Sequence, residues 1–230
     1  MPVIAVTGLS AEARIVAGPG ITTLAGGGEA ARLAALLEAH LERGAHGVIS
    51  FGIAGGLAAG LPPGTVVLAR AVLTEDERWP ADPDWHRALS AVLPQAMAGD
   101  LLGVDAAVAD APAKARLQAR SAAVAVDMES HVAARVAARH GVPFVALRVI
   151  SDPAERSLPQ AALVGMRPDG GTDVGAVLRA LARRPAEMPG LIRTAFDAQA
   201  AFRALKDARA AIGDGLGLND PHMLVSRGRT

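Results

Sequence analysis

Short apolar runs alternate with amphipathic helical stretches along the chain, which predicts an α/β fold around one sheet covered on both faces. Two further observations point to a single domain. At 230 residues the chain is long enough for one substantial core, and too short for two comfortable ones. No internal repeat or linker-like stretch divides the sequence.

The elements follow in order. Val3–Thr7 is an apolar run ending at Gly8, as expected of a strand buried on both faces. Gly26-Gly27-Gly28 opens a helix from Glu29 to about Arg43, with Leu33, Leu36, Leu37 and Leu41 on one face. Val48–Phe51 reads as a strand running into Gly52-Ile53-Ala54-Gly55-Gly56, and residues 65–69 as another after the turn Pro62-Pro63-Gly64. Residues 74–83 are charged and contain proline, so an exposed loop is predicted. A helix over 84–97, a strand over 101–105, a short strand over 124–126 and a helix over 128–140 come next. Gly141-Val142-Pro143 turns into Phe144–Ile150, the clearest buried strand. Helices are predicted over 172–183 and 186–211, the second with Pro189-Gly190 as a candidate interruption. The boundaries expected are one domain over 1–212 and a loose tail over 213–230.

Composition excludes several classes. Hydrophobic residues make up 51%, charged residues 20%, and the formal net charge is zero, so neither a disordered chain nor a global basic field for nucleic acid is expected. Aromatic residues are 3% with no Tyr, too few for base-stacking platforms. With no Cys there are no disulfides or thiolate sites. The six histidines show no metal-ligand spacing, so no metal is expected. Residues 1–6 lack the basic segment and cleavage site of a signal peptide, and no long apolar stretch is uninterrupted, so a cytoplasmic enzyme is expected.

Three clusters follow predicted strands, where open α/β sheets bind ligands. Gly52-Ile53-Ala54-Gly55-Gly56 lets backbone approach a sugar or anion closely, or is simple turn geometry. In Asp127-Met128-Glu129-Ser130, Asp127 suits a helix cap, while Glu129 could accept hydrogen bonds from ribose hydroxyls and Met128 could cover a sugar face or belong to the core. In Arg148-Val149-Ile150-Ser151-Asp152, Asp152 is either a loop carboxylate or a buried general acid whose proton is retained by desolvation. Arg148, inside the strand, reads as structural and paired.

Together and in this order, these segments resemble the nucleoside phosphorylase/nucleosidase superfamily. The matching stretches are Val6-Thr7-Gly8 through Glu12, residues 52–56, residues 63–67, residues 126–130 and residues 143–152. The nearest well-known branch is the 5′-methylthioadenosine/S-adenosylhomocysteine nucleosidases. The resemblance implies a three-layer sandwich with a mixed, mostly parallel central sheet and a homo-oligomer. It implies that Asp152 protonates the purine, Glu12 positions the attacking water, and Glu129 binds the ribose, with Met128, Ser151, Gly55, Ile53 and Gly8 around the nucleoside. Ile53 stands where the nucleosidases carry a small hydroxyl residue. No cofactor is implied, with inorganic phosphate as a potential co-substrate. The chain is much shorter than the usual nucleosidase between Glu12 and Gly26, and short and Ala-rich over 102–120. That layout resembles the hopanoid-associated phosphorylases, implying release of adenine from adenosylhopane. The alternative is a small nucleoside such as 5′-methylthioadenosine or S-adenosylhomocysteine. Residues 172–213 carry seven Lys/Arg against four Asp/Glu, an excess that suits a solvated helix face or peripheral contact with an anionic membrane.

Overall fold

The computed structural model describes residues 1–163 and 174–218. In chain order the elements are β1 (Val3–Thr7), α1 (Ser10–Val16), β2 (Ile21–Ala25), α2 (Ala30–Leu41), β3 (Gly47–Gly56), β4 (Val66–Leu73), β5 (Arg78–Pro80), α3 (Pro83–Val92) and β6 (Met97–Gly103). They continue as α4 (Ala111–Ser121), β7 (Ala125–Asp127), α5 (Ser130–His140), β8 (Phe144–Asp152), α6 (Gln160–Leu163), α7 (Val174–Arg183) and α8 (Met188–Ile212).

The sheet is mixed and mostly parallel, as expected. β1 pairs in parallel with β2 and β3, and β3 with β8. β4 pairs in parallel with β6, and β6 with β7. The antiparallel pairs are β3 with β7, β4 with β5 and β4 with β8. The pairing closes β3, β8, β4, β6 and β7 into a ring, with β1–β2 and β5 extending from it. The expected sandwich therefore has a middle layer that curls back on itself.

Alternation along the strands feeds two cores. Ile4, Val6, Val48, Ala146 and Ile150 pack with Leu33, Leu37 and Leu41 of α2 and with Val132, Ala133 and Val136 of α5. Val3, Ala5, Ile49, Phe51, Val145, Leu147 and Val149 pack the other way, against Val16 of α1, Trp85 and Leu89 of α3, and Ala201, Leu205 and Ala208 of α8. Burial on both faces is why β1 and β8 read as continuous apolar runs.

Several expectations are corrected. The helix predicted over 84–97 stops at Val92, because Leu93 precedes Pro94 and leaves the helical region at φ −123°, ψ 60°. Met97 instead opens β6. The loop predicted over 74–83 contains the edge strand β5, paired with Val72 and its neighbours in β4. Pro189 does not interrupt α8; it sits in the first turn, where a missing N–H costs nothing. The 213–230 stretch, expected to be loose, is docked as far as Leu218: Leu216 is fully buried, and its carbonyl accepts from Trp85 Nε1 at 2.8 Å. Residues 219–230, and Thr172 and Asp173 of the predicted helix, lie outside the described residues.

Two extensions matter for the site. β3 runs through the glycine cluster to Gly56, and β8 through Ser151 to Asp152. Their register shifts by one at the end: Ala54 opposes Ile150, but Gly55 opposes Asp152. Ser151 is thus the extra residue of a β-bulge. Strict alternation would send Ser151 and Asp152 to opposite faces; the bulge lets both line the same cavity.

Candidate active site

The end of β1, the second half of β3, the loop after β6, the end of β7 and the end of β8 surround a cavity of about 270 Å³. α8 closes one side with Thr194 and Ala198. The eight residues that the resemblance places around the nucleoside all line this cavity: Gly8, Glu12, Ile53, Gly55, Met128, Glu129, Ser151 and Asp152. They come from segments more than 140 residues apart in the chain. A more open depression of about 600 Å³ between α1 and α8 contains none of them.

Glu12 is 1% exposed at the start of α1. Its Oε2 accepts from the N–H groups of Gly8 (2.8 Å) and Leu9 (2.7 Å), reaching back to the helix entry. Its Oε1 accepts from Ile53 N–H across the sheet at 2.8 Å. Burial pushes its proton affinity up, outweighing the opposing pull of Arg148 and these three donors. Ile53, which departs from the small hydroxyl residue of the nucleosidases, contributes through its backbone.

Arg148 is the buried centre of the site, 1% exposed. Its Nε lies 2.6 Å from Asp127 Oδ2, and its Nη2 3.5 Å from Glu129 Oε2 and 2.6 Å from Ser50 Oγ. The structural, paired role expected for Arg148 is what the geometry shows. Asp127 also accepts from Ser130 N–H at 3.0 Å at the start of α5, although the N-cap position itself, expected at Asp127, falls to Glu129. With several carboxylates around one guanidinium, full ionisation is unfavourable. Burial, followed by repulsion from Asp127 and Glu12, pushes Glu129 up to about 8 against the pull of Arg148.

The glycines serve these carboxylates. A Cβ on Gly52 would lie 2.6 Å from Glu12 Oε1 and 2.7 Å from Arg148 Nη1, so only Gly leaves room for both groups over β3. A Cβ on Gly8 would lie 2.9 Å from Glu129 Oε1. Close approach was anticipated for residues 52–56, but what approaches is the protein's own carboxyl groups.

Asp152 is 8% exposed. Ser151 Oγ donates to its Oδ1 at 2.7 Å, and Lys114 Nζ pairs with its Oδ2. Burial raises its proton affinity, with Lys114 opposing. Lys114 was not anticipated. It stands on α4, an element hidden in the Ala-rich 102–120 stretch. The available signal was Asp110 followed by Pro112: Asp110 Oδ2 accepts from Ala113 N–H at 3.1 Å and starts the helix.

An α/β enzyme whose acidic groups gather where strands end is the class this fold and site define. The phosphorylase superfamily profile matches residues 3–184, and the chain belongs to that superfamily. It is an enzyme of the nucleosidase/phosphorylase class. A search of curated proteins returned no match. Among solved structures, the chain is similar to the Neisseria meningitidis 5′-methylthioadenosine/S-adenosylhomocysteine nucleosidase in complex with methylthio-immucillin-A. That match has 19% identity, covers 93% of this chain and 99% of that one, and has a TM-score of 0.66. The Campylobacter jejuni 5′-methylthioadenosine/S-adenosylhomocysteine nucleosidase matches at 15% identity, 90% and 99% coverage and TM-score 0.61. The native futalosine hydrolase of Helicobacter pylori matches at 16% identity, 80% and 98% coverage and TM-score 0.59. At these identities the likeness is one of fold.

Proposed function

We infer that the cavity binds a purine nucleoside and cleaves its N-glycosidic bond by hydrolysis. The observation that carries this reading is Asp152, a buried carboxyl of raised proton affinity facing the same cavity as Glu12 and Glu129. Asp152 gives its proton to N7 of the purine as the C1′–N9 bond breaks and its electron pair leaves with the base. The sugar becomes oxocarbenium-like, and a water oxygen bonds to C1′. Glu12 accepts that water's proton. Its Oε2 is occupied by two amide N–H groups but its Oε1 by one, which leaves Oε1 a lone pair for the water. Glu129 accepts from the ribose hydroxyls, an interaction that strengthens as the ring gains positive charge. Met128, Ile53, Gly8 and Gly55 shape the walls around sugar and base, and Ser151 holds Asp152.

Water is favoured over phosphate as the attacking group. Among the described residues, the cavity wall presents carboxyl groups and no Arg or Lys side chain, so it offers no cation to hold a phosphate dianion. Gly8→Ala tests the role of Glu129. The added methyl displaces the Glu129 carboxyl rather than backbone, so the strands should be spared while kcat/KM falls ~10-fold or more, as a buried hydrogen-bond acceptor for the ribose is lost. A variant with unchanged kcat/KM would count against Glu129 as the ribose ligand.

For the 5′ group, the relatives of known structure support a small substituent, as in 5′-methylthioadenosine, over adenosylhopane. A specific observation keeps the lipid-linked reading in play. Val104, Ala107, Val108, Leu158, Ala162 and Ala198 make much of the cavity wall apolar. On the outer face of α8, Met188, Ile192 and Phe196 form a stripe at i, i+4, i+8, exposed by 45%, 51% and 66%. Among the described residues no helix is long and apolar enough to cross a membrane, so a lipid-linked substrate would be met from the surface. Either way the proposed enzyme is cytoplasmic and homo-oligomeric. Free adenine released from 5′-methylthioadenosine, S-adenosylhomocysteine and adenosylhopane, with and without phosphate, tests both points. Preference for adenosylhopane would overturn the small-nucleoside reading, and phosphate dependence would overturn hydrolysis.

A further inference from the structure

Lys114 is fully buried, one of only two lysines in the chain, and plays no part in the mechanism above. All three of its N–H donors are engaged. Nζ pairs with Asp152 Oδ2 and donates to the carbonyls of Pro153 at 3.0 Å and Arg156 at 3.1 Å. The other carboxyl oxygen, Oδ1, meets Ser151 Oγ, which also lies 3.2 Å from the Ala54 carbonyl. When Oδ1 carries a proton, Ser151 can accept from it and turn its own hydrogen to Ala54. The two oxygens of Asp152 are therefore inequivalent: one is fixed against a cation, and the other sits in a hydroxyl arrangement that tolerates both protonation states.

We propose that Lys114 is a positioning residue for Asp152: it occupies Oδ2, leaves Oδ1 to carry the proton to the departing base, and stabilises the carboxylate left behind. This rests on Asp152 being the acid. Proton donation creates an anion in a buried site, where an uncompensated charge is costly. A fixed ammonium removes much of that cost in the transition state, because negative charge is already developing on Asp152 there. The consequence for pH follows from the same contact. Burial favours the protonated acid and Lys114 favours the ionised one, so Lys114 sets the pH at which the acid is lost. The other charged groups near Asp152 are Asp197 of α8 and Arg156 of the loop after β8, which pair with each other, and the exposed Glu155. Across the cavity stand Glu129 and Glu12.

The test uses the full chain with 5′-methylthioadenosine as probe, or whichever nucleoside is turned over. Lys114→Met removes charge and donors; Lys114→Gln removes the charge and keeps an amide donor. Both should lower kcat, and both should move the alkaline limb of the kcat/KM profile upward by ~1–3 pH units, the range an adjacent opposite charge commands. Loss of activity at every pH with the limb unmoved would reduce Lys114 to a structural staple and overturn the proposal. A measurement on the unaltered enzyme stands beside these should both variants fail to fold. The 15N-labelled lysine spectrum has only two side-chain signals, from Lys114 and Lys206. The Lys114 signal should change as its partner Asp152 ionises across the activity limb; a signal flat across that limb overturns the proposal. Failure of the parent reading looks different: Asp152→Asn would then retain full activity whatever Lys114 does.

Discussion

Asp152→Asn is expected to lower kcat for nucleoside cleavage by ~10²–10⁴-fold, the usual contribution of a positioned general acid. KM should change little, because an amide at this position still offers hydrogen bonds to the purine edge. The residual rate should also lose its alkaline limb, since the group that titrates there is gone. Asparagine keeps an oxygen for Lys114 Nζ but leaves the buried ammonium without a counter-charge, so a thermal melt belongs with the kinetics. A folded variant with undiminished kcat would show that the proton reaches the base by another route. A variant with normal kcat and a large rise in KM would make Asp152 a binding group.

The largest stability effect is expected at Arg148. Arg148→Met keeps much of the side-chain volume but strands Asp127, Glu129 and Glu12 without their cation. Removing one member of a buried ionic network costs ~3–5 kcal/mol, which in a domain of this size lowers Tm by roughly 6–20 °C near neutral pH. The sign of the pH dependence follows from the carboxyl groups left behind. Glu12 and Glu129 already hold their protons above the ordinary carboxyl range in the intact protein. Without Arg148 they hold them more tightly still. A group whose folded pKa is raised contributes stability that is complete below its unfolded value and lost as pH rises through the folded one. The variant should therefore approach the parent protein near pH 5 and fall furthest behind it above pH 8. Melting curves across that range check this, and a deficit that grew on acidification would contradict it.

What could be read in the sequence, and what could not, divides along physical lines. Val3–Thr7 and Phe144–Ile150 were legible because strands buried on both faces leave unbroken apolar runs. Asp127, Glu129 and Asp152 were legible because each follows such a run. α1 and β2 escaped notice because both are short, seven and five residues, and Gly18-Pro19-Gly20 between them reads as plain loop. β8 was cut at Ile150 because a bulge is a property of two strands together: nothing in Ser151 reveals that Asp152 will face Gly55. Glu12 was placed by resemblance alone, since its partner Ile53 lies 41 residues away. Lys114 was missed for the same reason, 38 residues from its partner carboxyl on an element whose alanines mute the helical pattern.

The ring closed by β3, β8, β4, β6 and β7 has a consequence for how activity arises during folding. Its pairings join residues about 100 positions apart, as Val48 with Phe144, and the cavity it helps frame takes groups from Gly8 to Ala198. Such long-range closure is slow to nucleate, because chain entropy is spent before the contacts repay it. Glu12, Ile53, Lys114 and Asp152 come together only in a stretch that spans at least residues 12–152, and the wall residues Thr194 and Ala198 add α8 to it. Refolding should therefore restore catalysis as one late event, and a nascent polypeptide should remain inert until α8 has left the ribosome and docked.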